Sequence, residues 1–476
     1  VSVALETAIP LYRQTAQRLE RLIREGTIRV GERLPSVRDL SRDWSISVTT
    51  VMQSYRLLEN QGLVEARPQS GFYVRALAAR HAEEPDTSSP KGTPVDISRS
   101  ELQMQILRDA ARPGLLQLGA AIPDPSLLPI AKLNRIMASI GRRRPERSAG
   151  YEFSPGAREL RTAIAKRNVA LGLEQSPDEV LITSGGMEAI SLALRVLCSP
   201  GDAVALESPT YYSLLTALEA NGLRAIEVPT CPRAGMSLEA LQVILEHHRP
   251  KVVLSIPSFQ NPLGFEMAPE RRQELVNLLH RHGVPLIEDD IYGELFHCER
   301  PRTCKYYDRA DQVILLSSFS KTLAPGYRIG WVSGGRYHSE LVRAKLLLNC
   351  ASATLPQLAI AEFLEEGGYD HHLRGMRREL ARRTDLLREF VIRYFPPETK
   401  VTRPAGGFLL WVQMPDRLDS TELYRLALAR NIIVMPGTLF SPRDIYRCCI
   451  RLNGAFLTEK DEPQLAELGR LAHSLL

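Results

Sequence analysis

From about Leu115 onward the chain alternates short apolar runs with segments of helical patterning, and this alternation constrains the fold more than any other feature. The runs lie at 180–183, 203–206, 252–256, 284–287 and 313–316. Strands that are apolar along their whole length are buried on both faces. Such strands separated by helices predict an α/β domain with a mainly parallel sheet, and ligands in such domains gather at the strands' carboxyl ends. Each run here leads into residues that carry chemistry.

The last run enters Ser317-Ser318-Phe319-Ser320-Lys321-Thr322, and Arg328 follows seven residues after the lysine. A lysine on such a turn is placed to form a Schiff base, because partial burial near other cations lowers the pKa of its amine. Ser318, Ser320 and Arg328 offer a phosphate two hydroxyls and a forked cation. Taken alone, Lys321 also reads as a surface lysine after a strand. Four other stretches supply the remainder of one site. Ser184-Gly185-Gly186-Met187 frees backbone N–H groups where a helix begins, which attracts an anion; alone it is a tight βα loop. Tyr211, in Ser208-Pro209-Thr210-Tyr211, can stack on a planar ring or fill the core. Asn261 sits in a Pro-Gly turn, where it can donate to a phenolate oxygen or cap the turn. Leu286-Ile287-Glu288-Asp289-Asp290-Ile291-Tyr292 ends an apolar strand on acids. A buried carboxylate needs a cationic partner, and a protonated pyridine nitrogen is one; an acidic loop or a metal site is the alternative, although the motif contains no histidine. An acid for a pyridinium, donors for a phenolate, a lysine for an aldehyde and a cradle for a phosphate together describe pyridoxal 5′-phosphate.

The first 75 residues read differently. An amphipathic helix opens at Pro10-Leu11-Tyr12, with Leu11, Leu19, Leu22 and Ile23 on one face, and ends near Gly26. Ser36 and Asp39 form a capping-box-like start for a second helix to about Trp44. Ser47 caps a third helix over 48–60, which Gly62 ends. The runs 63–67 and 71–74 read as a hairpin around Pro68-Gln69-Ser70. Three helices and a two-stranded wing predict a winged helix-turn-helix whose third helix is sized for the major groove; the competing reading is a helical protein-interaction module. Eleven Arg, no Lys and eight Asp or Glu leave these residues with a net charge of +3, and Arg33, Arg38, Arg42 and Arg67 fall on the second-helix region and the wing. The hydroxyls at the start of the third helix, Ser47 among them, can reach phosphates or base edges.

Between these parts, the stretch from Arg75 to about Asp96 is rich in Pro, Ser, Thr and Glu, with Leu77 and Val95 its only larger aliphatic residues. It predicts a flexible tether. A chain of 476 residues carries a prior of about three domains. The seven cysteines contain no C-x-x-C pair, and Cys448-Cys449 are adjacent. That is neither a zinc pattern nor a disulfide framework and predicts a cytoplasmic protein with reduced thiols. The N-terminus lacks the apolar stretch of a signal peptide, and no apolar run approaches the roughly 18 residues of a membrane span. The histidine pairs at 247–248 and 371–372 lack metal-ligand spacing.

From Pro10 to Val74 the chain resembles the GntR-family winged helix. The likeness is carried by Pro10-Leu11-Tyr12, Gly31-Glu32-Arg33-Leu34-Pro35-Ser36-Val37-Arg38, Val48-Thr49-Thr50-Val51, Leu58-Glu59-Asn60-Gln61-Gly62-Leu63-Val64 and Gly71-Phe72-Tyr73-Val74. The resemblance implies DNA contacts at Arg38, Thr49, Thr50 and near Gly71, to which the charge and capping pattern adds Arg33, Ser47 and Arg67. Val48 stands where many members carry an arginine, and an apolar residue cannot make a bidentate guanine contact. Roughly Leu115 to Leu476 resembles the fold-type I, class I/II aminotransferases. By motif match Lys321 would be the Schiff-base lysine, Asp289 the partner of the pyridine nitrogen, and Asn261 and Tyr292 the partners of the phenolate. Tyr211 would stack on the ring, and Gly185, Gly186, Met187, Ser318, Ser320 and Arg328 would hold the phosphate. Tyr151 matches a tyrosine that reaches across a dimer interface, Arg451 the arginine that binds a substrate's α-carboxylate, and the segment around Gly119 the lining of the substrate entrance. The order of the two parts is that of MocR-type regulators.

The expected layout is a DNA-binding domain over 1–75, a flexible linker over 76–110 and an aminotransferase-like domain over 111–476, with a large subdomain at about 140–335 and a smaller α+β subdomain at about 336–476. The expected function is a homodimeric transcriptional regulator that binds double-stranded operator DNA and senses an amino compound through an external aldimine. A working amino-acid aminotransferase with an accessory DNA-binding module, and a sensor of the cofactor itself, are the alternatives.

Overall fold

The computed structural model describes residues 10–24, 27–29, 31–60, 63–67, 70–74, 82–97, 100–110 and 112–476. The chain divides into two units, Val1–His81 and Ala82–Leu476. The expected helix end at Gly26, the stop at Gly62, the turn residues Pro68 and Gln69, and the linker residues 75–81 lie outside the described residues.

The first unit contains helices α1 (Leu11–Arg24), α2 (Val37–Asp43) and α3 (Val48–Asn60), followed by antiparallel strands β1 (Val64–Arg67) and β2 (Gly71–Val74). The expected caps form: Ser36 Oγ accepts from Asp39 N at 3.2 Å, and Ser47 Oγ accepts from Thr50 N at 3.0 Å. Leu19, Ile23, Leu40, Val51, Tyr55, Leu58, Val64 and Val74 close one core. The buried face of α1 is Ala16, Leu19 and Ile23, whereas Leu11 is exposed. Helical geometry explains the correction, since Leu11 lies roughly 80° around the helix from Leu19.

The second unit is built on an eight-stranded sheet. After a helix α4 (Ser100–Ala110) and a short strand β3 (Leu116–Gln117) come β4 (Val180–Thr183), β5 (Ala203–Ser208), β6 (Arg224–Cys231), β7 (Gly235–Met236), β8 (Val252–Ser255), β9 (Leu286–Asp289), β10 (Val313–Ser318) and β11 (Gly330–Ser333). Their order across the sheet is β4-β11-β10-β9-β8-β5-β6-β7. Strands β10, β9, β8, β5 and β6 run parallel, and β11 is antiparallel to both β10 and β4. Apolar clusters cover both faces, as continuous apolar strands require. The expected run at 284–287 begins its ladder only at Leu286, because Pro285 has no N–H to give; its carbonyl accepts from Val253 N at 3.0 Å. A second, antiparallel sheet in the order β12-β13-β16-β15 is formed by β12 (Lys400–Val401), β13 (Leu409–Gln413), β15 (Met435–Pro436) and β16 (Cys449–Asn453). Between them in sequence, β14 (Ile432–Ile433) pairs in parallel with β3.

Where it is described, the segment expected to be a flexible linker is docked. Val95 forms an antiparallel bridge with Ala225, with N–H···O distances of 2.9 and 3.0 Å. Ile97 is buried in the core beside the sheet. Farther on, α4 buries Ile106, and Tyr424 OH donates to Asp109 Oδ2 at 2.6 Å. Strand β6 pairs with β7 only through Thr230 and Cys231, so its edge is open at Ala225. The extended segment covers that edge, a standard solution to an unpaired strand.

Candidate functional site

A cavity of about 140 Å³ lies where β4, β5, β8, β9 and β10 end, lined by Gly186, Met187, Ile190, Tyr211, Ile256, Asp289, Ile291, Tyr292, Ser320, Lys321 and Arg328. It gathers most of the residues singled out in the sequence from four separate strand ends. Lys321 follows β10 on a single turn of 3₁₀ helix. Its Nζ donates to Ala121 O at 2.6 Å. Burial, with the nearby Arg451 and Arg328 cations, lowers the amine to about 8 against the pull of Asp289. Asp289 closes β9, and its carboxyl is pushed up to about 7 by burial and by the neighbouring Asp290 and Glu288 carboxyls. Ile291 N donates to Asp289 Oδ1 at 3.1 Å. Burial likewise raises the phenols of Tyr292 and Tyr211.

At the other end of the cavity, Gly185 has φ +92° and precedes helix α5 (Gly186–Leu197), whose first N–H groups have no earlier helical carbonyl to bond. A Cβ at Gly185 would run into the Arg328 guanidinium, which donates to Ser184 O at 3.0 Å. Ser320 lines the cavity. Ser318 does not: its hydroxyl donates to Ile329 O at 3.0 Å and accepts from Ser320 N at 3.0 Å. Ser318 stands beside the cradle: a Cβ at Gly186 would lie 3.8 Å from its Cβ, and its hydroxyl is 2.8 Å from that of Ser320.

Arg451, on β16, is fully buried. It donates to Asn261 Oδ1 at 3.0 Å and to Gly119 O, and its Nε has no hydrogen-bond partner among the described residues. Asn261 Nδ2 lies 3.4 Å from Tyr292 OH, which joins Arg451, Asn261 and Tyr292 in one line beside the cavity. Asn453, which the sequence reading passed over, donates to Ala120 O at 2.6 Å and Ile122 O at 2.8 Å. Together with Arg451 and Lys321 it fixes four consecutive carbonyls, 119–122, over the site. The recognisable signal was its place two residues after Arg451 on the same strand. Ile190, Ile256 and Ile291 are further lining residues that carry no chemical signature. Tyr151 is the candidate left outside. It is 79% exposed and stacks on Phe153 at 5.5 Å.

In the first unit, Arg33, Arg38, Ser47, Thr49 and Arg67 are exposed, and Val48 at the start of α3 is 51% exposed. Thr50 is half-buried, its hydroxyl 2.8 Å from that of Ser47. Arg67 stacks on Tyr73, and Gly71, with φ +109°, leaves room for the Arg33 side chain. The presented surface is thus the beginning of α3 together with the wing.

The pocket fits a phosphorylated pyridine. It has a cradle that one methyl group would fill, a buried carboxyl with no ion-pair contact among the described residues, a buried amine of lowered pKa and an arginine whose Nε has no partner among those residues. Comparison with known proteins agrees. Residues 129–467 match the family described as aminotransferase class I and II, and residues 11–74 match bacterial regulatory proteins of the gntR family. The HTH-type transcriptional regulator YdcR of Escherichia coli is 38% identical over 98% of this chain and 99% of its own. The 2-aminoadipate transaminase of Thermus thermophilus is 32% identical over 78% of this chain and 94% of its own. Among solved structures, the α-aminoadipate aminotransferase LysN of T. thermophilus, complexed with N-(5′-phosphopyridoxyl)-L-leucine, matches with a TM-score of 0.71 at 30% identity. That match covers 80% of this chain and 99% of LysN. The chain belongs to the class I and II aminotransferase family and, within it, to the MocR-type regulators, in which a gntR-type DNA-binding domain precedes a pyridoxal 5′-phosphate-dependent fold-type I domain.

Proposed function

We propose that this transcriptional regulator responds to a small amino compound bearing a carboxylate, which competes with Lys321 for the cofactor held in the larger unit. Lys321 would hold the cofactor's aldehyde carbon, Asp289 its pyridine nitrogen, and Asn261 and Tyr292 its phenolate oxygen. Tyr211 would cover the ring, and Gly185, Gly186, Met187, Ser318, Ser320 and Arg328 would hold the phosphate. Bound there, pyridoxal 5′-phosphate supplies an aldehyde that exchanges between amines. The lowered amine of Lys321 lets it leave and return near neutral pH. The single observation that carries the effector reading is Arg451, a fully buried cation beside the cavity whose Nε still lacks a partner among the described residues. A buried guanidinium with spare donors selects a planar anion such as a carboxylate. Exchange at Lys321 would then shift the regulator between states of different DNA affinity, by no more than the effector's differential affinity for those states. On the DNA side, Arg33, Arg38, Ser47, Thr49, Thr50, Arg67 and the Gly71 turn would face an operator. Tyr151 would complete the pocket of a second subunit, so the working form would be a homodimer.

The test is the visible absorption of the cofactor-loaded protein with a panel of amino acids and no keto acid, alongside binding to a DNA site selected from random sequence. A small band shift for one compound, together with altered DNA affinity, is expected, and both responses should vanish in Arg451→Ala while the cofactor band remains. Retention of both in Arg451→Ala overturns the reading. Loss of the band with release of a keto acid would favour a working aminotransferase. That reading has its own support, since the Lys321 amine is intact and is also the base a 1,3-proton shift needs. A change in DNA affinity on cofactor loading alone would favour a sensor of the cofactor.

A further inference from the structure

We propose that Ser88, in the docked segment 82–97, is a positioning residue of the pyridoxal 5′-phosphate site, acting through Ser208 on the turn that presents Tyr211. Strands β5 and β6 run parallel, and their register ends with Ser208 opposite Pro229. A ladder continued in that register would join Ser208 N to Val228 O and Thr230 N to Ser208 O. At each of these places a hydroxyl also bridges the two groups. Thr230 Oγ1 accepts from Ser208 N at 3.1 Å and donates to Val228 O at 2.9 Å. Ser88 Oγ accepts from Thr230 N at 2.8 Å and donates to Ser208 O. Ser88 N completes the contact by donating to Thr230 O at 3.2 Å. One hydroxyl from outside the sheet therefore ties the ends of β5 and β6 to each other.

The cavity begins three residues on. Ser208 leads through Pro209 and Thr210 to Tyr211, which lines the cavity and precedes helix α6 (Tyr212–Ala220). The Ser208 side chain is held as firmly as its backbone: its hydroxyl donates to the buried Glu227 at 2.7 Å and lies 2.7 Å from Tyr446 OH. Removing the Ser88 hydroxyl would take one hydrogen-bond partner from each of Thr230 N and Ser208 O in a buried place and loosen the hold on the turn.

The segment that carries Ser88 is also tied to the second sheet and to the connection between β15 and β16. Val401 N donates to Glu83 O at 2.9 Å, Lys400 pairs with Asp86 at 2.8 Å, and Arg443 donates to Thr93 O at 3.0 Å. Toward the N-terminus the chain continues from this segment into the DNA-binding unit. Coupling between two sites is reciprocal. If Ser88 strengthens cofactor binding, cofactor binding must strengthen the docking of 82–97.

The experiment uses the full chain and pyridoxal 5′-phosphate alone. Cofactor affinity is read from the visible band for the wild type, Ser88→Ala and Ser88→Thr, and amide exchange of peptides covering 84–97 is followed by mass spectrometry with and without the cofactor. Ser88→Ala should weaken binding roughly three- to tenfold, the worth of one hydrogen bond, and move the band. Ser88→Thr, which keeps the hydroxyl, should restore both, and the cofactor should slow exchange across 84–97 in the wild type. An Ser88→Ala protein with wild-type affinity and band overturns the proposal. Should Ser88→Ala fail to fold, the wild-type exchange decides by itself, and exchange indifferent to the cofactor overturns it. The proposal rests on cofactor binding in this pocket but not on the amino-compound effector. A wild type that develops no band defeats the pocket assignment, whereas an unchanged Ser88→Ala defeats only the role of Ser88.

Discussion

Two residues in the cofactor pocket have opposite protonation problems, and each makes a prediction. The Lys321 amine, lowered to about 8 by burial and by Arg451 and Arg328, is far more often neutral at pH 7 than an ordinary lysine. The gain in neutral amine over a lysine at its ordinary value is on the order of 300-fold. Reconstitution of cofactor-free protein with pyridoxal 5′-phosphate should therefore speed up with pH and level off just above 8. A rate still climbing at pH 10 would show an unperturbed lysine. Asp289 shifts the other way. Its carboxyl is raised to about 7, so its neutral form is favoured in the folded protein. The associated stability is fully present below the ordinary carboxyl range and is lost as pH rises through about 7. Without cofactor, Asp289→Asn should be more stable than wild type in urea at pH 8, with the advantage shrinking toward pH 5. With cofactor bound the order should reverse, because the carboxylate then gains its cation. Equal denaturation midpoints at pH 8 without cofactor would mean that Asp289 already has a partner.

At the scale of elements, the phosphate cradle depends on the conformation where β4 passes into α5. Gly185 sits at φ +92° against the Arg328 guanidinium. Gly185→Ala is disfavoured there by its backbone and must also displace Arg328. The fold should survive, while cofactor affinity in an absorbance titration drops about tenfold or more, the worth of a charge-assisted contact. The sequence made this cradle legible only in company: Gly-Gly, the Lys321 turn and the acids ending β9 each have a bland reading alone, and together, each after an apolar run, they describe one cofactor. Each residue type has a chemistry that its position would otherwise waste. Strand β6 escaped because Glu227 and Pro229 break its apolar run, and β11 because its antiparallel pairing needs neither a long apolar run nor a crossover helix. The docked segment was the least legible. Its sequence has the composition of a linker, and its anchors are Ser, Thr and Glu groups that bond to backbone or charged partners far along the chain. Val95 and Ile97 are its larger apolar anchors, and no local pattern shows that they cover the edge of β6.

For the whole molecule, the consequence is a boundary. The division between the two units falls at His81 and Ala82, not at the start of the first regular element of the larger unit, α4. Each unit has its own apolar core, the smaller one around Val51, Tyr55 and Leu58. A chain beginning at Ala82 should therefore keep the larger unit's thermal stability and cofactor affinity. A chain beginning at residue 98 would lose the bridge to Ala225, the Ser88 hydroxyl between β5 and β6, and the burial of Ile97, which alone is worth roughly 2 kcal/mol. It should melt lower, bind pyridoxal 5′-phosphate more weakly and associate through the uncovered edge of β6. Saturating cofactor, at about 100 times its Kd, should add ~2.7 kcal/mol to the chain starting at Ala82. Differential scanning calorimetry of the two truncated chains, with and without cofactor, separates the possibilities. Equal melting points and equal cofactor shifts would return the segment 82–97 to the status of a tether. A deficit in both for the shorter chain would make it part of the cofactor-binding unit, and would place the start of any signal toward the DNA-binding unit inside the cofactor domain itself.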